Sequence, residues 1–337
     1  MKKVLFIIKN INEASSRFRV LAYLNQLKND FDINIFYAEY HNDNIPKIFR
    51  SIVKRIRYLA LLRDVNIYDV IYMQRPMSTG KSKNNFFEKL IVSINPNLIF
   101  DFDDALFVQD KSKISNLISI AKICVCGNKY LYDFSKKYNT NSHVIPTAVD
   151  TNKFIPKENT NVTAITIGWT GTSGNYQFFT DKMIDEINTI LKTYTHVNFL
   201  FICDHKPDKR FDFPYDFIYW NEKTEVKDLQ NIDIGLMPLI DSPWSKGKCG
   251  FKLIQYGAIG IASIASDVGV NSDIIMDNKS GILVRDKTWV TPLTTLINNA
   301  PLRKRMGEQA RQHIEKQYSV SGNYQKLSSI IHSLIKE

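Results

Sequence analysis

Cysteine is scarce. Four in 337 residues cannot make a disulfide framework for a chain of this size, so a reducing, cytoplasmic setting is expected. Cys124 and Cys126 flank Val125 in a strand-like run, and no second Cys or His pair stands at ligand spacing; they read as core, and no metal is expected. No apolar run approaches the roughly 18 residues of a spanning helix, and the opening MKKVLFIIKNINEASS has too short an apolar stretch for a signal peptide. The GxGxxG of a dinucleotide site is missing, which argues against a nicotinamide or flavin enzyme. No recognised nucleic-acid-binding motif occurs, no repeat has a fixed period, and no tract is of low complexity.

Acidic residues are short in one half only. Residues 1–160 carry 24 Lys and Arg against 15 Asp and Glu, a net of +9, while residues 161–337 carry 20 against 19, a net of +1. An anionic membrane or a phosphorylated substrate suits such a first half, and nucleic acid is not expected as a partner.

What is present is alternation. Val4–Ile8, Ile33–Tyr37, Val70–Met73, Leu98–Asp101 and Ile123–Cys126 read as buried strands with helical patterns between them. Ala164–Trp169, Val197–Cys203, Ile232–Met237, Ile261–Ala265 and Gly281–Val284 repeat the style. Such alternation predicts α/β architecture: two doubly wound, Rossmann-like domains of parallel sheet facing each other across a cleft. The length suits two domains of roughly 150 residues. VIPTAVDTNKFIPKENTN, residues 144–161, has two prolines and no helical period, and reads as the connection. The expected division is 1–160 and 161–317, with a last helix over about 318–337 returning to the first domain.

Ligands of doubly wound sheets bind beyond the carboxyl ends of the strands. Three stretches there stand out. NINEASSRFR follows the first strand; Ser15 or Ser16 suits a helix cap, and Arg17 is placed to meet an anion. IGWTGTSGNYQFF, residues 167–179, offers Gly168, Gly171 and Gly174 for close backbone approach, with Thr170, Thr172 and Ser173 as hydroxyl donors, in the manner of a pyrophosphate cradle. In SPWSKGKCGFKLIQYGAIG, Lys248 and Lys252 stand four apart. On a helix starting near Gly250 they would share one side of its first turn, with Gln255 a further turn on, so that the group would grip a diphosphate and a ribose together. Cys249, beside Lys248 at that helix start, is expected to have a lowered pKa and to be sensitive to alkylation.

GKCGFKLIQYGAIGIASIASDVGVN, preceded by DIGLMPLIDSPW, resembles the donor-site segment of family 4 glycosyltransferases, retaining enzymes of the GT-B fold. ASSRFRVLAYL, DFDDALF, VIPTAVDTNKF and IGWTGT follow the same family's order and spacing, so the resemblance covers nearly the whole chain. It implies a glycosyltransferase that moves a hexose from a UDP-, GDP- or dTDP-sugar to an acceptor hydroxyl with retention, in bacterial cell-surface polysaccharide or glycolipid assembly, with no cofactor or metal required. The alternative is a non-catalytic relative that binds nucleotide-sugar or glycan. The family's usual Arg and Lys pair after the first strand of the second domain is not evident, so Lys248 and Lys252 are the candidates to balance the diphosphate; by the same resemblance, Gly168, Thr170, Gly171 and Thr172 face the donor phosphates. Cys249, Gly250 and Phe251 close the turn, Ser242 and Trp244 lie beside the sugar, and Tyr219, Trp220 and Asn221 near the base. Gln255 and Gly247 fall at the two glutamates of the family's E-x7-E signature, so both acidic positions depart from it. Ser16 and Arg17 lie on the acceptor side.

DFDD, residues 101–104, also spells the DxD of metal-dependent glycosyltransferases. Its place at the end of a buried strand in a first domain argues against that use. Under the resemblance Asp103 or Asp104 orients the sugar or acceptor; otherwise the carboxylates cap the next helix and bond local backbone.

IPKIFRSIVKRIRYLALLRD, residues 45–64, predicts an amphipathic helix starting at Pro46. Ile48, Ile52, Ile56 and Leu59, with Phe49 and Val53, form an apolar stripe; Lys47, Arg50, Lys54 and Arg57, with Arg55 and Arg63, form a basic one. Two readings stand: a docking helix for anionic lipid, with Arg50, Lys54, Arg55 and Arg57 as its contacts, or a basic core helix. The first implies a peripheral protein on the inner face of the membrane and a lipid-linked or glycan acceptor.

Overall fold

A computed structural model describes residues 1–39, 47–77, 85–157 and 164–335 of the chain. Their strands form two six-stranded sheets in which every pairing is parallel. The ten expected strands are present, each to within two residues at either end, and two more, Ser142–Val144 and Asp216–Tyr219, lie at sheet edges. The expected α/β architecture of two doubly wound units is observed.

The chain divides into two compact units. The first comprises Met1–Ala148, the short segment Gly247–Cys249 and Asn323–Glu337; the second comprises Val149–Lys246 and Gly250–Gly322. The expected junction at 160/161 lies outside the described residues, as does Pro46.

In the first unit, β1 (Lys2–Ile8), β2 (Phe31–Tyr37), β3 (Val70–Gln74), β4 (Leu98–Phe102), β5 (Ile123–Cys126) and β6 (Ser142–Val144) lie in the order β2-β1-β3-β4-β5-β6. β3 and β4 bury all their residues, as a sheet covered on both faces requires. Its core includes a charge pair. Arg19 and Asp101 are both almost fully enclosed; Nε and Nη2 of Arg19 donate to the carboxylate at 2.6–3.2 Å, and Tyr72 donates its hydroxyl at 2.9 Å. The helix Val320–His332 packs against this unit: Ser328 donates to Asp30 at 3.0 Å, and the His332 ring lies 4.6 Å from that of Phe31.

In the second unit, β7 (Ile165–Gly171), β8 (Val197–Cys203), β9 (Asp216–Tyr219), β10 (Ile234–Met237), β11 (Ala262–Ser266) and β12 (Gly281–Val284) lie in the order β12-β11-β10-β7-β8-β9. Counted from β7, that is the 3-2-1-4-5-6 order of a dinucleotide-type sheet. Trp169 sits in an aromatic core with Tyr176, Phe179 and Phe201, their ring centroids 5.1–6.1 Å away. The helix Asp181–Thr193 covers this face and is capped by Thr180, whose hydroxyl accepts from the Met183 amide.

The helix Lys47–Asp64 has an unexpected orientation. Tyr58 and Leu61 form its buried face, whereas Phe49, Ile52, Ile56 and Leu59 are each at least half exposed. The side chains of Lys47 and Ile48 lie outside the described set. Two of the expected lipid contacts lean inward: Arg57 donates to the Tyr37 carbonyl and stacks on Phe36, and Lys54 lies over the Tyr58 ring. Arg50 is half-buried, and Arg55 is exposed. No helix of the described residues is long and apolar enough to cross a membrane.

Candidate functional site

Each sheet has one place where strand order reverses and the loops from neighbouring strands leave in opposite directions, opening a crevice at the carboxyl edge. In the first sheet it lies between β1 and β3, in the second between β7 and β10.

At the first crevice the chain leaves β3 through Arg75, whose φ of +66° is uncommon for a side-chain-bearing residue. The turn aims its guanidinium at carboxylates from the end of β4. Nε and Nη2 donate to Asp103 at 3.1 and 3.0 Å, Nη2 also to Asp104, and Nη1 to Glu13 at 3.4 Å. Burial pushes the Asp103 carboxyl up, but Arg75 and Arg19 outweigh it and hold the group below the usual carboxylate range. At Asp104 burial wins: despite Arg75, and with the like charge of Asp103 adding to it, its pKa is raised. Two adjacent carboxylates thus differ in their hold on a proton. The DFDD carboxylates neither cap a helix nor bond local backbone as one reading anticipated; Asp101 pairs with Arg19, and Asp103 and Asp104 share Arg75.

Ser15 and Ser16 lie inside the helix Ala14–Arg19, whose cap position is Glu13, so neither serves as a cap. Among the described residues, the fully buried Ser16 has no hydrogen-bond partner for its hydroxyl, and Gln74, buried at the end of β3, has none for either side-chain atom. Arg17 is buried with its guanidinium over the Phe18 ring. Arg75 and Gln74 fall in no quoted motif, and only the β3–β4 register, which sets Gln74 against Asp101, brings them to the site.

The turn Gly247–Cys249 completes this crevice from far along the chain. Asn128 caps the helix Lys129–Ser135 through its Oδ1 and donates Nδ2 to the carbonyls of Gly247 and Lys248 at 3.1 and 3.0 Å. Cys249 donates its thiol to the Asp103 carbonyl at 3.1 Å. A Cβ on Gly247 would stand 2.3 Å from that of Ala105, so a glutamate there would not fit. The charge of Lys248 acts on Asp104. The expected helix face shared by Lys248 and Lys252 is not formed. Gly250, at φ +62°, turns the chain before the helix Phe251–Ala258 begins, and places the two lysines in different units. The expected reactive thiol is also corrected: Cys249 is buried, and burial, reinforced by Asp103, pushes its pKa well up.

At the second crevice, Gly168, Thr170 and Gly171 lie within β7 instead of in a loop. Gly168 is a packing position, since a Cβ there would meet the Ile232 side chain at 2.3 Å. The Thr170 amide donates to the Tyr256 hydroxyl at 3.0 Å. Gly171 passes beneath Lys252: a Cβ would lie 2.7 Å from its Cε, and the Lys252 ammonium stands 5.3 Å from the centroid of Trp169. Thr172 accepts from Asn175 at 2.8 Å, while Ser173 gives its amide and its hydroxyl to Asp204. Ser173 is therefore not a free donor, contrary to expectation. Ser242 caps the short helix Pro243–Lys246 by accepting from the Ser245 amide; Trp244 and Phe251 are half-buried. Tyr219 is 62% exposed at the end of β9, and Asn221 accepts from the Lys223 amide at 2.9 Å.

Gln255 is buried one turn beyond Lys252. Its Nε2 donates at 3.0 Å to Oε1 of Glu225, a buried carboxylate on the helix Glu225–Leu229, and the Trp220 indole N–H donates to the same oxygen at 3.2 Å. Glu225 was not visible as a site residue in the sequence, because it lies 30 positions from Gln255 and in no motif.

The fold and a family match in the second half of the chain support a glycosyltransferase. Residues 216–313 match the family model of glycosyl transferases group 1, and the two units together have the GT-B fold. The sucrose-phosphate synthase of Thermosynechococcus elongatus is similar in structure, with 11% identity, 99% of each chain covered and a TM-score of 0.73. HepE of Anabaena, crystallised in complex with UDP-glucose, has 10% identity, covers 99% of this chain and 100% of its own, and gives a TM-score of 0.73. A glycosyltransferase from Rickettsia africae ESF-5 gives 13%, 100% and 99%, and 0.68. No curated protein matches the chain by sequence.

Proposed function

We propose that this chain is a retaining, metal-independent glycosyltransferase that passes a sugar from a nucleotide-sugar to an acceptor hydroxyl. The observation that carries the reading is the second crevice, where the switch between β7 and β10 lies beside Lys252 and the Gln255–Glu225 pair, within or next to the stretch that matches the family model. HepE binds UDP-glucose, and the same class of donor suits this site.

In the reaction the bond between the anomeric carbon and the diphosphate oxygen breaks, and a bond to the acceptor oxygen forms on the same face. The acceptor proton passes to the departing phosphate, so no dedicated base is needed. Negative charge grows on the diphosphate, and Lys252 and the first turn of the helix Phe251–Ala258, both in the second unit, are the groups assigned to stabilise it. Asp103 or Asp104, held by Arg75, is assigned to orient the sugar or the acceptor, and Ser16 and Arg17 are assigned to the acceptor side. Cell-surface polysaccharide or glycolipid assembly, with a lipid-linked acceptor and peripheral attachment to the inner membrane face, accounts for the basic first half and for the exposed apolar face of Lys47–Asp64.

The test is calorimetry with UDP, GDP and dTDP, followed by hydrolysis and transfer assays over a panel of their sugars. Turnover should persist in EDTA, and NMR of the product should give the donor's anomeric configuration. Inversion, or loss in EDTA with rescue by Mn2+, would overturn the mechanism; nucleotide binding with no turnover on any donor would favour the non-catalytic relative.

A further inference from the structure

Gln255 and Glu225 form a directional pair. A carboxylate only accepts hydrogen bonds, so the side of the Gln255 amide that meets Glu225 must be its NH2 group, and the carbonyl must point the other way. Among the described residues no group donates to Gln255 Oε1, and that oxygen is not one of the enclosed, unpartnered atoms. Glu225 is itself fixed by the Trp220 indole. The amide therefore cannot turn over without setting its carbonyl against a carboxylate 3.0 Å away.

We propose that Glu225 is the positioning residue of the nucleotide subsite: it locks Gln255 with its carbonyl outward, as an acceptor for the ribose hydroxyls of a bound nucleoside diphosphate. This rests on the nucleotide-sugar reading above. It also accounts for the glutamine. A glutamate at 255 would place two carboxylates about 3 Å apart in a buried setting, where both cannot stay ionised. The pair supplies instead one outward acceptor backed by one buried charge. Gln255 would touch the ligand; Glu225 would act through it.

The test uses the full chain and the tighter-binding of UDP and GDP, compared by calorimetry with its 2′,3′-dideoxy analogue. The native protein should prefer the ribose form by about tenfold, the worth of one or two neutral hydrogen bonds. Glu225→Gln lets the facing amide turn over, and should cut the preference to within about twofold while dideoxy binding holds. Gln255→Glu should cut it as well. The double variant Glu225→Gln/Gln255→Glu, which reverses donor and acceptor across the same contact, should restore the preference. An unchanged ratio in Glu225→Gln, or equal weakening of both ligands with a lower melting temperature and no rescue in the double variant, would overturn the assignment while leaving the nucleotide reading standing. Binding of none of UDP, GDP and dTDP would overturn both.

Discussion

Charged side chains inside the first unit divide by what they touch. Asp101 is enclosed on all sides and neutralised by Arg19, so it serves the fold; its removal would strand a buried guanidinium. Asp101→Ala should therefore cost about 3–5 kcal/mol in urea unfolding, several times the effect of breaking a surface pair such as Lys129–Asp133. Asp103 and Asp104, two and three residues further on, keep Arg75 between them at the crevice. DFDD reads in the sequence as a single motif, yet the strand end splits it: Asp101 lies inside β4 and pairs with Arg19, whereas Asp103 and Asp104 follow its last residue, Phe102, and meet Arg75, which the β3–β4 register brings alongside. Cys249 carries a second residue-scale expectation. Its folded pKa is raised, so the thiolate is disfavoured at any pH below that value, and burial blocks access besides. Mass spectrometry after iodoacetamide at pH 8 should find Cys249 unlabelled in the native protein and labelled in urea, slower by at least about a hundredfold when folded. Rapid native labelling would mean that the Gly247–Cys249 turn opens.

Among the elements, the long buried strands were legible because continuous runs such as VLFII and NFLFIC leave no polar face. β6 and β9 were missed for the opposite reason: three or four residues at a sheet edge, partly solvated, carry no such signal. The helix Lys47–Asp64 was legible as amphipathic but not in its orientation, since a period of 3.6 residues says which side chains share a face and nothing about which face is buried. Four apolar side chains stand in solvent there, with Arg55 beside them and no acidic residue before Asp64. On the membrane reading, binding to anionic liposomes should have a salt-sensitive part and an apolar part. Sedimentation should fall as salt rises, and should fall further when Phe49, Ile52 and Ile56 become Ser than when Arg50 and Arg55 do. Indifference to both sets of changes would leave this helix with no part in lipid binding.

At the scale of the molecule, two doubly wound units followed from alternation alone, but the strand orders did not. Those orders put the switch points between β1 and β3 and between β7 and β10, and so decide which loops can form a site. The same folding sends three residues of the donor-like motif to the first unit and leaves its helix in the second, a division that no reading of GKCGFK as one helical turn anticipates. It also sets the Lys252 ammonium above the ring of Trp169, deep in the aromatic core. The protein thereby carries its own optical probe. A diphosphate that draws the ammonium away would change the electric field across a buried indole, and so its emission, without any added label. Titration with UDP or GDP should shift the tryptophan fluorescence, and Trp169→Phe should remove most of the change while calorimetric affinity holds within a few fold. A saturating nucleotide that leaves the emission of Trp169 untouched would place the phosphates away from Lys252.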